Sequence, residues 1–173
     1  MFMFGEDHDT LETIDRTVEF ATRHGIDTVQ FMILTPFPGT RYYEDLVAEN
    51  RLLHKNWDYY NAMYIVFRPA KMSPVRLQTE TYRAYRRFYS LRRTVSDVLS
   101  MTFNVLLDAL AWNFRRANTY RLNTIFTRAG ATAIIGKCSG PHNTYLAFLR
   151  NADRRKLLES SAQPIEHEAD NHG

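Results

Sequence analysis

The order of apolar and polar positions predicts a strand, a helix and a second strand in the first 35 residues. Met1-Phe2-Met3-Phe4 is a short apolar run ended by Gly5, as expected for a buried strand. Asp9 or Thr10 then stands at a helix start, with Glu12 three residues after Asp9 in the capping-box position. Leu11, Ile14, Val18 and Ala21 follow at the spacing of one apolar helical stripe, and His24-Gly25 ends it. From Thr28 to Leu34 the chain is β-prone and almost continuously apolar, the pattern of a parallel strand covered on both faces. Strand, helix and strand at this length form a βαβ unit.

Thr35-Pro36-Phe37-Pro38-Gly39-Thr40 reads as a stiff turn, and Thr40 opens a second helix that carries Tyr43, Leu46 and Val47 toward Asn50, a left-handed terminator. Leu52 to Tyr60 reads as loop and Met63 to Phe67 as a further short strand closed by Arg68-Pro69. Ser73-Pro74 then gives an N-cap and a first-turn proline for a long helix to about Arg93. Val98 to Phe114 is apolar on most sides, but Asn104 and Asp108 and its short length exclude a membrane span. It reads as a helix packed in protein or lying on a membrane between Arg92-Arg93 and Arg115-Arg116. Tyr120 to Ala129 and Asn143 to Ser160 are further helices around a Gly136 to Pro141 loop, and Gln163 to Gly173 is a polar tail.

Composition narrows the chemistry. The chain has 173 residues, 45% of them hydrophobic, and one cysteine, Cys138. That length gives a core without disulfide staples. A single thiol excludes an intramolecular disulfide framework, a zinc ribbon or a cysteine-ligated iron-sulfur cluster built from this chain alone. The net charge of +3 hides a strong asymmetry. Residues 1–50 carry 3 Lys/Arg against 10 Asp/Glu, residues 51–156 carry 19 against 5, and residues 157–173 carry none against 4. The basic middle suits an anionic surface, an acidic partner or the chain's own acidic first segment. No zinc finger, phosphate loop or aromatic RNA-binding motif accompanies it, so nucleic acid is not favoured. No signal peptide is visible, which places the chain in the cytoplasm by default, with membrane association through 92–116 as the alternative. Glu6, Asp7 and Asp9 fit a helix start better than an acid/base pair, and His8 and His24 lack a third ligand at metal spacing. Trp57, Tyr59, Tyr60 and Tyr64 read as loop packing.

An ordered series of segments carries a resemblance. Phe-Met-Phe-Gly-Glu-Asp-His-Asp-Thr-Leu-Glu-Thr (2–13) comes first, then Gln-Phe-Met-Ile-Leu-Thr-Pro-Phe-Pro-Gly-Thr (30–40), Asn-Arg-Leu-Leu (50–53) and Trp-Asp-Tyr-Tyr (57–60). Val-Phe-Arg-Pro (66–69), Met-Ser-Pro (72–74) and Phe-Tyr-Ser (88–90) complete it. Together they resemble the C-terminal part of radical S-adenosylmethionine proteins, most nearly those with a cobalamin (B12)-binding domain. The resemblance implies an α/β fold: the C-terminal remnant of a partial (β/α)6 TIM-like barrel over 1–93, with 2–5 as its fifth strand and 28–34 as its sixth. A mostly α-helical extension over 94–160 and a disordered tail over 161–173 would follow.

The same resemblance implies S-adenosylmethionine, a [4Fe-4S] cluster and cobalamin as cofactors of an intact enzyme, for 5′-deoxyadenosyl-radical or cobalamin-assisted methyl-transfer chemistry. Met3, Phe4 and Gly5 would contact the adenosyl part, and Leu34, Thr35 and Pro36 would border the adenine. The family's three-cysteine motif does not occur here, so no residue of this chain is expected to be catalytic or to bind metal. The chain is expected to be a fragment, inactive and without tight cofactor binding, whose partner is the missing N-terminal half. Its substrate is unassigned, with a lipid-like molecule suggested by 98–114. The competing expectation is a non-catalytic basic helical module, 74–156, on an anionic membrane surface or an acidic partner.

Overall fold

The computed structural model describes residues 1–90, 95–96, 99, 103, 127–128, 130–131, 133, 135 and 143–162. It is a mixed α/β structure around a two-stranded parallel sheet. β1 (Phe2–Phe4) pairs with β2 (Phe31–Ile33) in the register Phe2–Phe31, Met3–Met32, Phe4–Ile33, and α1 (Leu11–Arg23) connects them. Both strands are shorter than the expected 2–5 and 28–34, but the βαβ unit stands. Among the described residues the sheet has these two strands.

Capping chemistry starts the helices. The Thr10 hydroxyl accepts from the Thr13 N–H while the Thr10 N–H donates to the Thr13 hydroxyl, so the capping box uses Thr10 and Thr13 and not Asp9 and Glu12. Asp9 instead accepts from the N–H groups of Gly5 (2.8 Å) and Glu6 (3.1 Å), which closes the turn leaving β1. α2 (Arg41–Ala48) is capped by Thr40, and Asn50 follows it with φ of 53°, the left-handed terminator expected there. A 3₁₀ turn spans Trp57–Tyr59. Ser73 caps α3 (Pro74–Phe88), which stops at Phe88 and not near Arg93, and α4 covers Thr144–Ala162.

The core lies between the sheet and the helices. Phe4, Phe31 and Ile33 are buried beneath α1 and α3, with Phe31 stacked on Phe2 and Phe4 and met edge-on by Tyr85 and Phe88. Ile14, Val18 and Ala21 enter the same core, whereas Leu11 stays exposed at the helix start. Tyr145, Leu146 and Leu149 of α4 join it too, as α4 packs on α3. The opposite face of the sheet presents Met3, 50% exposed, beside half-buried Met32.

Met63–Phe67 is not a strand. Its backbone groups go to other partners: the buried amide of Gln78 accepts from the Ile65 N–H and donates to the Met63 carbonyl, both at 2.9 Å. The Tyr145 hydroxyl donates to the Ile65 carbonyl, and the Leu53 N–H donates to the Val66 carbonyl. Among the described residues a single antiparallel bridge, Leu52 to Phe67, is what this segment forms in place of the expected strand. The expected helix at 98–114 falls almost wholly outside the described residues. So do the Gly136 to Pro141 loop, the polar tail and, apart from Thr127 and Arg128, the helix at 120–129.

Candidate functional site

Parallel strands carry their sites at the C-terminal ends, where the trailing turns leave the sheet. Here both turns open on one groove of about 500 Å³. It is lined by Glu6, Asp7 and His8 after β1, by Leu34, Thr35, Pro36 and Phe37 after β2, and by Thr40 and Tyr42 at the start of α2. Leu34, Pro36 and Phe37 give it an apolar wall, and the acidic turn gives it a polar end. The size is within the range of small-molecule pockets.

The residues behind the wall are tightly committed. The Thr35 hydroxyl donates to the Ile33 carbonyl (3.2 Å) and accepts from the Ala62 N–H (3.1 Å), pinning the turn to the loop beside it. The Thr40 hydroxyl donates to the Phe37 carbonyl (2.6 Å) and accepts from the Tyr43 N–H (3.3 Å). Gly39, at φ of 82°, supplies the reversal between them.

Arg51 fixes the acidic end. Its guanidinium holds both carboxylate oxygens of Asp7, reaches Glu49 at 2.8 Å and donates through Nε to the Arg68 carbonyl at 2.8 Å. The Arg51 side chain is 18% exposed, so this fork is partly shielded from water. The guanidinium holds the Asp7 carboxyl below the usual carboxylate range, and Asp7 and Glu49 in turn push the Arg51 pKa up. The turn after β1 is thereby tied to the segment after α2. Glu6 remains outside this network, solvent-exposed and without an ion pair among the described residues.

Of the six residues expected to contact cofactor, the groove brings together Leu34, Thr35 and Pro36. Met3, Phe4 and Gly5 do not line it. Met3 sits on the open sheet face and Phe4 in the core. Gly5 has φ of 113°, and a Cβ there would stand 3.2 Å from Leu77 Cδ2 and 3.3 Å from Phe67 Cζ. Backbone conformation and packing both favour glycine at that position. Sequence reasoning missed Tyr42 as a lining residue, and it missed Arg51 as the partner of Asp7. Phe37 lay within the proline-rich turn already singled out.

A second cavity of about 510 Å³ lies beyond the outer edge of β2, walled by Met32, Met63, Tyr82, Tyr85, Tyr89 and Ile135 among others. Two of its tyrosines, Tyr85 and Tyr89, turn their hydroxyls toward the strand and the residues leading into it. Tyr89 accepts from the Val29 N–H (2.9 Å) and donates to the Val29 carbonyl (2.8 Å), and Tyr85 accepts from the Phe31 N–H (3.0 Å). Among the described residues there is no group of three His, Cys, Asp or Glu side chains able to hold a metal ion, and no helix is long and apolar enough to cross a membrane.

No protein-family model matches the chain, and no solved structure matches it. Three curated proteins do, all named as methyltransferases. Over 126 residues the chain is 29% identical to bacteriochlorophyllide d C-8(2)-methyltransferase of Chlorobaculum tepidum, covering 66% of this chain and 28% of that protein. It is 34% identical over 89 residues to bacteriochlorophyllide d C-12(1)-methyltransferase of the same organism, covering 47% of this chain and 19% of that one. An uncharacterized methyltransferase of Pyrococcus horikoshii is 35% identical over 88 residues, 51% of this chain and 19% of that protein. The chain is thus similar to part of each of these methyltransferases, and spans less than a third of the length of any of them.

Proposed function

We propose that the chain forms one wall of a barrel methyltransferase that uses S-adenosylmethionine, with the groove at the ends of β1 and β2 holding the adenosyl part of the cofactor. The observation that carries this reading is the common groove: two adjacent parallel strands, joined by a crossover helix, whose trailing turns converge on one pocket. The likeness to three methyltransferases supplies the chemistry. The edge of β1 supports continuation into a larger sheet. The ladder uses the amide groups of Phe2 and Phe4, so the N–H and C=O of Met3 face outward, unpaired among the described residues. Beside that edge, Phe2 and the Thr10, Thr13, Thr17 and Phe20 side of α1 leave a further groove of about 450 Å³.

S-adenosylmethionine, when bound, supplies an electrophilic methyl group on a sulfonium cation. The residues at hand fit it: Leu34, Pro36 and Phe37 present an apolar wall that excludes water from a planar base, and Glu6 sets a negative charge where a cation gains from it. Arg51 keeps Asp7 ionised and immobile, which holds the turn in shape. The finer assignment, radical chemistry with a [4Fe-4S] cluster and cobalamin, rests on the motif series. The residues here do not fit a cluster, because Cys138 is the one cysteine and the described side chains offer no three-ligand set. In this reading the cluster ligands and any cobalamin seat belong to a complementary portion, and the chain alone is inactive. The second, apolar cavity, together with the bacteriochlorophyllide acceptors of two relatives, supports an acceptor with a large apolar surface.

Titration of S-adenosylmethionine into the ¹⁵N-labelled chain tests the groove. Saturable shifts of the Leu34, Thr35, Phe37 and Glu6 amides are expected, at millimolar affinity or weaker than the intact enzyme would show. No shift at these positions at several millimolar ligand refutes the placement.

A second reading is favoured by one observation. Val95, Leu99 and Phe103 are helical, spaced four apart and exposed, an apolar stripe within the segment flanked by arginine pairs. On this reading the segment rests on an anionic membrane. Vesicles containing phosphatidylglycerol should co-sediment the chain at low salt and release it at high salt; equal sedimentation with neutral vesicles, or none, removes it.

A further inference from the structure

Around the groove the polar groups are accounted for one by one, with a single exception. Thr35 and Thr40 each spend their hydroxyl on two backbone groups, both oxygens of Asp7 are held by Arg51, and Glu6 and His8 stand in solvent. The Tyr42 hydroxyl is different. It is buried, it has no hydrogen-bond partner among the described residues, and its residue lines the groove. Its ring is half-buried and meets the buried Phe67 ring edge-on, with centroids 5.7 Å apart. Tyr42 is held in its neutral form, since burial first and the nearby Asp7 charge second push its pKa up to about 12. At neutral pH it therefore carries a proton to donate.

A buried hydroxyl without a partner destabilises the fold relative to one that is bonded, and native structures seldom leave one without a reason. We propose that Tyr42 is a ligand-positioning residue: its hydroxyl hydrogen-bonds an acceptor atom on the nucleoside portion of the molecule bound in this groove. The inference rests on the reading of the groove as the S-adenosylmethionine site and adds a specific contact to it. The chemistry is set by the neighbours. Leu34, Pro36 and Phe37 offer apolar surface to a planar base, and Tyr42, on the first turn of α2 beside them, offers the hydrogen bond that a purine nucleoside accepts through a ring nitrogen or a ribose oxygen. A rotation about the side-chain bonds of Tyr42 brings its tip toward the groove as the ligand enters.

Tyr42→Phe separates this role from a structural one, because the two predict opposite signs. If the hydroxyl awaits a ligand, its removal from the empty chain takes away an unsatisfied polar atom, and the melting temperature stays the same or rises. Affinity for adenosine and for S-adenosylmethionine, read by amide shifts, should then fall roughly 3- to 10-fold, whereas free methionine, lacking the nucleoside, should show no difference between the two proteins. A melting temperature lowered by several degrees with nucleoside affinity unchanged makes the hydroxyl structural and overturns the inference alone. Unchanged affinity with unchanged stability overturns it as well. Failure of the unsubstituted chain to bind S-adenosylmethionine or adenosine overturns the inference together with the reading beneath it.

Discussion

Along the outer edge of β2, the N–H groups of Val29, Phe31 and Ile33 meet the Tyr89 hydroxyl, the Tyr85 hydroxyl and the Ala62 carbonyl. Along the outer edge of β1, the N–H and C=O of Met3 meet nothing among the described residues, and Phe20 of α1 lies half-exposed nearby. One edge of the sheet is finished by side chains and the other is left as a template for pairing. The difference gives the sheet a direction. A strand can be added beside β1, but none beside β2 without displacing two tyrosines and a loop. The proposed barrel wall, ending at β2 and continuing past β1, would require this asymmetry.

The largest test of that contrast removes the ring on which the finished side is built. Phe31→Ala deletes a buried side chain packed against Phe2, Phe4, Tyr85 and Phe88, and is expected to cost about 3–5 kcal/mol in urea unfolding. Stability unchanged within about 1 kcal/mol would dissociate the core from the finished edge. Next, Tyr89→Phe leaves both the N–H and the C=O of buried Val29 without their hydroxyl, for an expected loss of about 1–3 kcal/mol. The amide of Val29 should then exchange with solvent far faster; retained protection would show that the tyrosine does not close this edge.

A smaller effect depends on pH. His54 sits among Tyr59, Tyr60, Tyr145 and Phe148 on the α4 side of the molecule, with Nε2 2.9 Å from the Tyr145 hydroxyl and Nδ1 accepting from the Asn56 N–H. Burial lowers its pKa below 6.5, so the folded chain binds this proton less readily than the unfolded one. The stability associated with neutral His54 is complete above pH 6.5 and is lost as the pH falls through the folded value. His54→Gln should flatten the decline of melting temperature below pH 6.5; an unchanged slope would place the proton uptake elsewhere. Smallest of all, Met3→Lys on the open edge should change stability by less than about 0.5 kcal/mol while reducing self-association at high concentration. A loss of several kcal/mol would mean that β1 is already covered.

Much of this arrangement is written locally. The βαβ order, the Thr40 and Ser73 caps and the left-handed Asn50 all follow from residue spacing and turn chemistry, whereas Leu34, Thr35 and Pro36, which line the groove, were singled out by the resemblance. What the sequence hides are choices made at long range. Arg51 finds Asp7 from 44 residues away, and Tyr85 and Tyr89 reach β2 across more than 50. Met63–Phe67 has the composition of a strand, yet Gln78, Tyr145 and Leu53 take its amide groups first. A buried glutamine on a helix face gives no periodic signal of the loop it will bind. Gly5 was legible as a turn glycine, whereas its φ of 113° and the contact a Cβ would make with Leu77 and Phe67 are set at long range.

Photoaffinity labelling with an azido-adenine analogue of S-adenosylmethionine addresses the groove most directly, because the attachment site is read as a peptide. Covalent label on the tryptic segments 1–16, 24–41 or 42–51, suppressed by excess unmodified cofactor, is the expected outcome. Label that is not suppressed, or that falls on α3 or α4 instead, would contradict the assignment of the adenosyl group to the turns after β1 and β2.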